Sequence, residues 1–171
     1  MKALTRALAA LAVLCAAATA SASTSGPIDL PTVAAKQIRI IDGKTRVPIL
    51  LPTRLPWSGR VPRLYPVGWT TRGGWGLALD AAPQCGGANA CFVASFEATR
   101  GGRLPARSNL RLPGGEPAYY LPIRCGASCG PASIWFVADG VLHAWQLKEP
   151  PAGGKAAMAR LAASAIDFGP R

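Results

Sequence analysis

Histidine occurs once in the 171 residues, at His143, and the eight acidic residues are scattered singly along the chain. A catalytic metal site usually takes three protein ligands, so this shortage argues against metal catalysis, and no metal or cofactor is expected. Three glycine-rich stretches, GGWG, CGGANAC and LPGGEP, lack either the lysine or the strand-to-helix context of a phosphate-cradling loop. No segment approaches the roughly 20 consecutive apolar residues of a membrane-spanning helix, so the chain is not expected to span a bilayer. Four carboxylates, Asp80, Glu97, Glu116 and Asp139, could converge in space for glycoside chemistry, but nothing in their spacing selects a pair.

What is present begins with a leader. Lys2 and Arg6 precede an apolar run from Ala7 to Ala17, followed by small residues, the order of a secretory signal peptide. Ala20-Ser21-Ala22 fits the small-residue cleavage rule, so residues 1–22 are read as the leader, with Ala20 as the alternative cut. Cys15 is not read as a lipid-anchored cysteine, because bulky Leu14 precedes it. Cleavage after Ala22 leaves 149 of the 171 residues, enough for one domain with a real core. Loss of Lys2 and Arg6 lowers the formal net charge from +11 to +9, with arginine supplying 13 of the remaining basic residues. An exported protein does not ordinarily meet nucleic acid, so this charge points toward an anionic envelope polymer, lipid head groups or another exported protein.

Four cysteines follow the leader: Cys85, Cys91, Cys125 and Cys129. An even number in an oxidising compartment reads as two disulfides with three possible connectivities. The local pairing, Cys85 with Cys91 and Cys125 with Cys129, is favoured because each closes a Gly- and Ala-rich loop. The competing reading, a structural zinc site, fits neither the spacings nor the compartment.

Residues 23–36 carry Ser, Thr, Gly and prolines without periodicity and read as a flexible lead-in to a single domain over 37–171. IRIIDGKTRVPILLP places two β-rich runs around Asp42-Gly43, a hairpin signal, with Pro48 demoting the second run to an edge. Trp57, Tyr65, Trp69 and Trp75, spaced by prolines, are read as caps of a sheet core rather than as a ligand platform. WGLALD and CFVASFEATR form a strand pair across the first cysteine loop, with Phe92, Ala94, Phe96 and Ala98 alternating onto one face. AYYLPIRC is another strand. In SIWFVADGVLHAWQL, Asp139-Gly140 closes a hairpin that pairs Ala138 with Val141, Phe136 with His143 and Ile134 with Trp145. Its core face then carries Ile134, Phe136, Val141, His143 and Trp145. After Gly153-Gly154, Met158, Leu161, Ala162 and Ala165 form one helical stripe. The expected fold is therefore α+β, a mostly antiparallel sheet with one C-terminal helix packed on it and two disulfide-pinned loops.

Gly126-Ala127-Ser128-Cys129-Gly130 matches the letters of the nucleophile elbow G-x-S-x-G, and Ser128, Asp139 and His143 occur in α/β-hydrolase order. The context opposes it. An elbow sits between a strand and a helix, whereas Pro131 and a hairpin follow here, and Asp139 occupies a turn. A hydrolase using Ser128 is thus the weaker reading, and no enzyme is expected. In TRGGRLPARSNLR, Arg100, Arg103, Arg107 and Arg111 form the best candidate binding surface. Gly101, Gly102 and Pro105 forbid a regular helix there, and no aromatics interleave to stack nucleic-acid bases.

The tail WFVADGVLHAWQLKEPPAGGKAAMARLAASAI resembles the strand, turn, strand and helix that end uncharacterised exported bacterial proteins. It is also similar to endings in the periplasmic lipoprotein-carrier and sigma-factor-regulator-like family, over about a fifth of the chain. That resemblance implies a half-open curved sheet used for apolar ligands or lipoproteins. The chain departs from it in its short length, its two cysteine loops and its single expected helix. The expected function is an exported or periplasmic, non-enzymatic module that binds an envelope component. The alternative is a secreted inhibitor or protein-interaction domain presenting the loop at 85–91.

Overall fold

In the computed structural model, residues 26–58, 63–86 and 88–171 are described, so the predicted leader at 1–22 lies outside the described residues. The order is β1 (Ile28–Asp29), α1 (Leu30–Asp42), β2 (Arg54–Leu55), β3 (Tyr65–Thr71), β4 (Gly74–Asp80) and β5 (Phe92–Arg100). It continues with β6 (Leu110–Arg111), β7 (Pro117–Leu121), β8 (Arg124–Cys125), β9 (Cys129–Gly130), β10 (Ala132–Ala138), β11 (Val141–Leu147) and α2 (Gly154–Phe168). Seven strands form one antiparallel sheet in the order β3-β4-β5-β11-β10-β7-β6, and β1-β2 and β8-β9 are small separate pairs. The α+β class, the C-terminal helix and both disulfides agree with the sequence reading. Among the described residues no helix is long and apolar enough to cross a membrane.

The segment before residue 43 departs from expectation. The expected lead-in at 23–36 contains β1 and the first half of α1, and no hairpin forms at Asp42-Gly43. Asp29 starts the helix: its Oδ1 accepts from the Thr32 N–H at 3.1 Å, and Pro31 fills a first-turn position where no N–H is needed. Leu30, Ala34 and Ile41 are buried and Ile38 partly so, a stripe at helical spacing. The β-branched run Ile38-Arg39-Ile40-Ile41 has strand propensity, but cap and stripe override it. Gly43 ends the helix, its N–H donating to Arg39 O at 3.1 Å. Gly68 on β3 lets α1 approach, because a Cβ there would lie 2.9 Å from Ile41 Cδ1.

The hairpin of β10 and β11 has the expected register, Ala138 with Val141, Phe136 with His143 and Ile134 with Trp145. All five expected core-face residues are buried. Trp145 stands edge-on to Phe96 and Phe136 at 5.5 and 5.1 Å, and the His143 ring stacks on Phe136 at 5.0 Å. Over this face α2 lays Met158, Ala162 and Ala165, fully buried, with Leu161 packed at the margin. Its alanines allow close approach without a large loss of side-chain entropy. The irregular segment from Val47 to Leu51 completes the cover, anchored where Trp75 Nε1 donates to Pro48 O at 3.0 Å and the Arg171 N–H to Ile49 O at 3.1 Å.

The bridges join Cys85 to Cys91 and Cys125 to Cys129, the local connectivity. Loops this short remove little unfolded-state entropy, so each bridge is worth about 2 kcal/mol in the chain-entropy account. Serine at both 125 and 129 is expected to cost about that much in urea unfolding, with the far-UV spectrum unchanged. Loss of cooperative folding would instead show that this bridge holds the sheet together.

Candidate functional site on the uncovered sheet face

Both helices pack on one face of the large sheet, and the other face carries no helix among the described residues. Strand alternation fills that open face by register. One cross-strand row reads Val67, Ala78, Ser95, Gln146, Ser133 and Leu121, and its neighbour reads Trp69, Gly76, Glu97, Ala144, Trp135 and Tyr119. In the second row aromatics stand on both flanks, Trp69 on one side and Trp135 with Tyr119 on the other, the last two in contact at 5.8 Å. Trp69 lies flat across Gly76, where a Cβ would collide with the indole, so this glycine sets the ring's position.

A cavity of about 520 Å³ occupies the β3 side of this face. Its floor is Ala78, Ser95 and Gln146, and its aromatic wall is Tyr65, Trp69 and Phe92. The opposite wall is the first cysteine loop, through Gln84, Cys85, Gly86 and Asn89. That loop is held twice more, by Lys148 Nζ donating to Asn89 O and Ala90 O at 3.1 and 2.9 Å, and by the Ala81 N–H donating to Cys91 O at 2.7 Å. A smaller cavity of about 260 Å³ shares Asn89, Phe92 and Pro131 with the first and runs on to the second cysteine loop at Cys129 and Gly130.

Phe92 reaches the cavity because of a bulge. Leu79 pairs with Ala94, but Asp80 pairs with Phe92, so Val93 is the extra residue of β5. Strict alternation would put Phe92 on the core face with Ala94, Phe96 and Ala98, as the sequence reading had it. The bulge instead turns Phe92 onto the open face beside Asp80, while Val93 and Ala94 are both buried. Of the four aromatics expected to cap the core, Trp75 is buried and Trp57 packs at the core's edge, but Tyr65 and Trp69 belong to the cavity.

Asp80 is the one charged residue lining the cavity of about 520 Å³. It is 7% exposed, and its carboxylate makes no hydrogen bond or ion pair among the described residues. Burial raises its pKa above the ordinary aspartate value. Comparison with protein-family models, curated proteins and solved structures finds no match to this chain. The site therefore rests on its own geometry.

Asp80, Tyr65, Trp69 and Cys85 apart, the residues singled out by sequence lie away from this cavity. Ser128 is exposed in the turn between β8 and β9, and its carbonyl accepts from the Gly126 N–H at 3.0 Å. Another strand follows it, not a helix. Asp139 sits in the β10–β11 turn with φ 50°, and His143 is fully buried with neither ring nitrogen hydrogen-bonded, so these three residues form no hydrogen-bonded chain. Asp80 and Glu97 share the open face two rows apart, and Glu116 lies in the β6–β7 connection, so the four carboxylates do not converge. No group of three or more potential metal ligands occurs among the described residues.

The arginine segment is irregular between β5 and β6, as Gly101, Gly102 and Pro105 require. Its four arginines are not equivalent. Arg100 Nη2 donates to Arg46 O at 3.0 Å and Arg111 Nη1 to Gly115 O at 2.8 Å, whereas Arg103 and Arg107 are exposed on the loop itself. Serine at 103 and 107 spares both backbone contacts and lowers the charge of residues 23–171 from +9 to +7. That variant is expected to leave a heparin column at distinctly lower salt with its melting temperature unchanged, since such contacts are screened over about 8 Å at physiological ionic strength. Elution at the parent's salt would show that the loop takes no part in polyanion binding.

Proposed function

We propose that this chain is an exported, secreted or periplasmic, non-enzymatic binding module that captures a small ligand on the uncovered face of its sheet. The carrying observation is the cavity of about 520 Å³, within the roughly 300–1,000 Å³ range of small-molecule sites. Its floor of Ala78, Ser95 and Gln146, its aromatic wall and its disulfide-pinned loop are the parts of a preformed pocket, and preformation lowers the entropic cost of binding. Two disulfides support the exported compartment, where such bonds persist. The exposed Arg103 and Arg107 supply the anion-facing surface by which the module would associate with an envelope polymer, lipid or another exported protein.

The test is to fill the pocket. Ala78 is half-buried on the floor, and Ala78→Leu would project a branched side chain into the cavity without entering the core. A screen of exported small molecules and envelope fragments against the parent should yield ligands that raise its melting temperature, and the variant should lose those shifts while keeping its own melting temperature. Ligands that stabilise parent and variant equally would place binding elsewhere.

A further inference from the structure

A partly desolvated carboxylate without a partner carries a cost, and proteins seldom keep one away from a site where it acts. Asp80 is such a group: 7% exposed, facing the cavity, and unpaired among the described residues. The bulge at Val93 places Phe92 beside it, and cross-strand pairing places Tyr65 on its other side. Trp69 stands in the same wall, its ring fixed by Gly76. Aromatic faces attract cations, and the Tyr65 ring already carries the Arg63 guanidinium 5.3 Å from its centroid. Lys148, the cation beside the cysteine loop, is committed to two loop carbonyls. The cavity thus presents one negative charge beside an aromatic wall, with only uncharged side chains in the rest of its lining.

Resting on the reading of this face as a binding site, we infer that its ligand is a monocation, a protonated amine on an apolar or aromatic body, with Asp80 as the counter-ion and Tyr65, Trp69 and Phe92 as the enclosing wall. An anionic ligand would meet the carboxylate directly. A neutral one would cover the carboxylate without pairing it, which costs affinity. Partial burial raises the Asp80 pKa, and an ammonium in contact would pull it back down.

Three probes of one shape separate the possibilities: tryptamine as the cation, tryptophol as the neutral analogue and indole-3-propionate as the anion. Each is titrated into the ¹⁵N-labelled protein at pH 7, reading amide shifts at residues 65–69, 78–86 and 92–95. Tryptamine is expected to bind at least tenfold more tightly than tryptophol, and indole-3-propionate more weakly than either. Asp80→Asn should bring tryptamine to the level of tryptophol, leave tryptophol unchanged, and match or exceed the parent in melting temperature because a buried charge is gone. Equal binding of tryptamine and tryptophol to the parent overturns the cation inference while leaving the binding face in place, and this comparison needs no variant. If none of the three shifts these amides, the cation inference and the binding face fall together.

Discussion

Trp145→Ala is expected to lower the unfolding free energy by about 4 kcal/mol, the largest effect of any single truncation in this chain. The indole is fully buried on the central strand of the sheet, edge-on to Phe96 on one neighbouring strand and Phe136 on the other. Removing it deletes the transfer free energy of the ring and leaves a cavity that three paired strands cannot close. Against a total stability of about 5–15 kcal/mol, that is a large fraction. Trp145→Phe should cost much less, since it keeps an aromatic edge and removes an indole N–H that has no partner. Urea unfolding followed by far-UV circular dichroism reads both. A loss below about 1.5 kcal/mol for the alanine variant would contradict the packing described.

The consequence reaches the other face of the sheet. On β11 the core residues Val141, His143, Trp145 and Leu147 alternate with Leu142, Ala144 and Gln146, and Gln146 is part of the cavity floor. The backbone that carries the floor therefore rests on the ring packed against its other face. A loosened core should weaken ligand capture even where no cavity residue has changed.

The contrast between what the sequence disclosed and what it concealed follows from the range of the interactions. The β10–β11 hairpin was legible because Asp139-Gly140 is a local turn signal and strict alternation on both arms fixes the register. The stripe from Met158 to Ala165 was legible for the same reason, a periodicity contained in one element. Helix α1 was obscured because isoleucines at 38, 40 and 41 suit a strand, and the deciding contact, Ile41 against Gly68, joins residues distant in sequence. The β3–β4 hairpin, turning at Arg72-Gly73, was hidden by the prolines around it; Pro66 is tolerated because β3 is an edge strand. The candidate site was the least legible part. Asp80 looked like one of several isolated carboxylates, and only the bulge at Val93, a property of two paired strands, brings Phe92 to its side. The usable signals were GGWG, where a glycine faces a tryptophan across the hairpin, and the cysteine loop that directly follows Asp80.

Acidification should destabilise the protein between about pH 6.5 and 4, and His143 is the cause. Burial lowers its pKa from 6.5 to about 4, because no partner compensates a charged imidazole between Phe136 and the apolar core. Above pH 6.5 the ring is neutral in both folded and unfolded chains, and its contribution is fully present. As pH falls through 6.5 the unfolded chain takes up a proton that the folded chain refuses until about pH 4. The unfolded state then binds more protons, so stability falls with pH, by about 3 kcal/mol at the bottom of the window. Asp80 acts in the opposite sense: its raised pKa makes the folded chain the better proton acceptor, so acid relieves the cost of burying its charge. His143→Leu separates the two. Leucine is close to histidine in volume and removes two buried nitrogens that lack partners, so the variant should equal or exceed the parent at pH 7.5. Its stability should also lose the acid-induced fall, leaving a flat or slightly rising profile from pH 6.5 to 4.5. Urea midpoints across that range decide it: a parent with no fall, or a leucine variant that falls as steeply as the parent, would show that His143 is not the group that titrates.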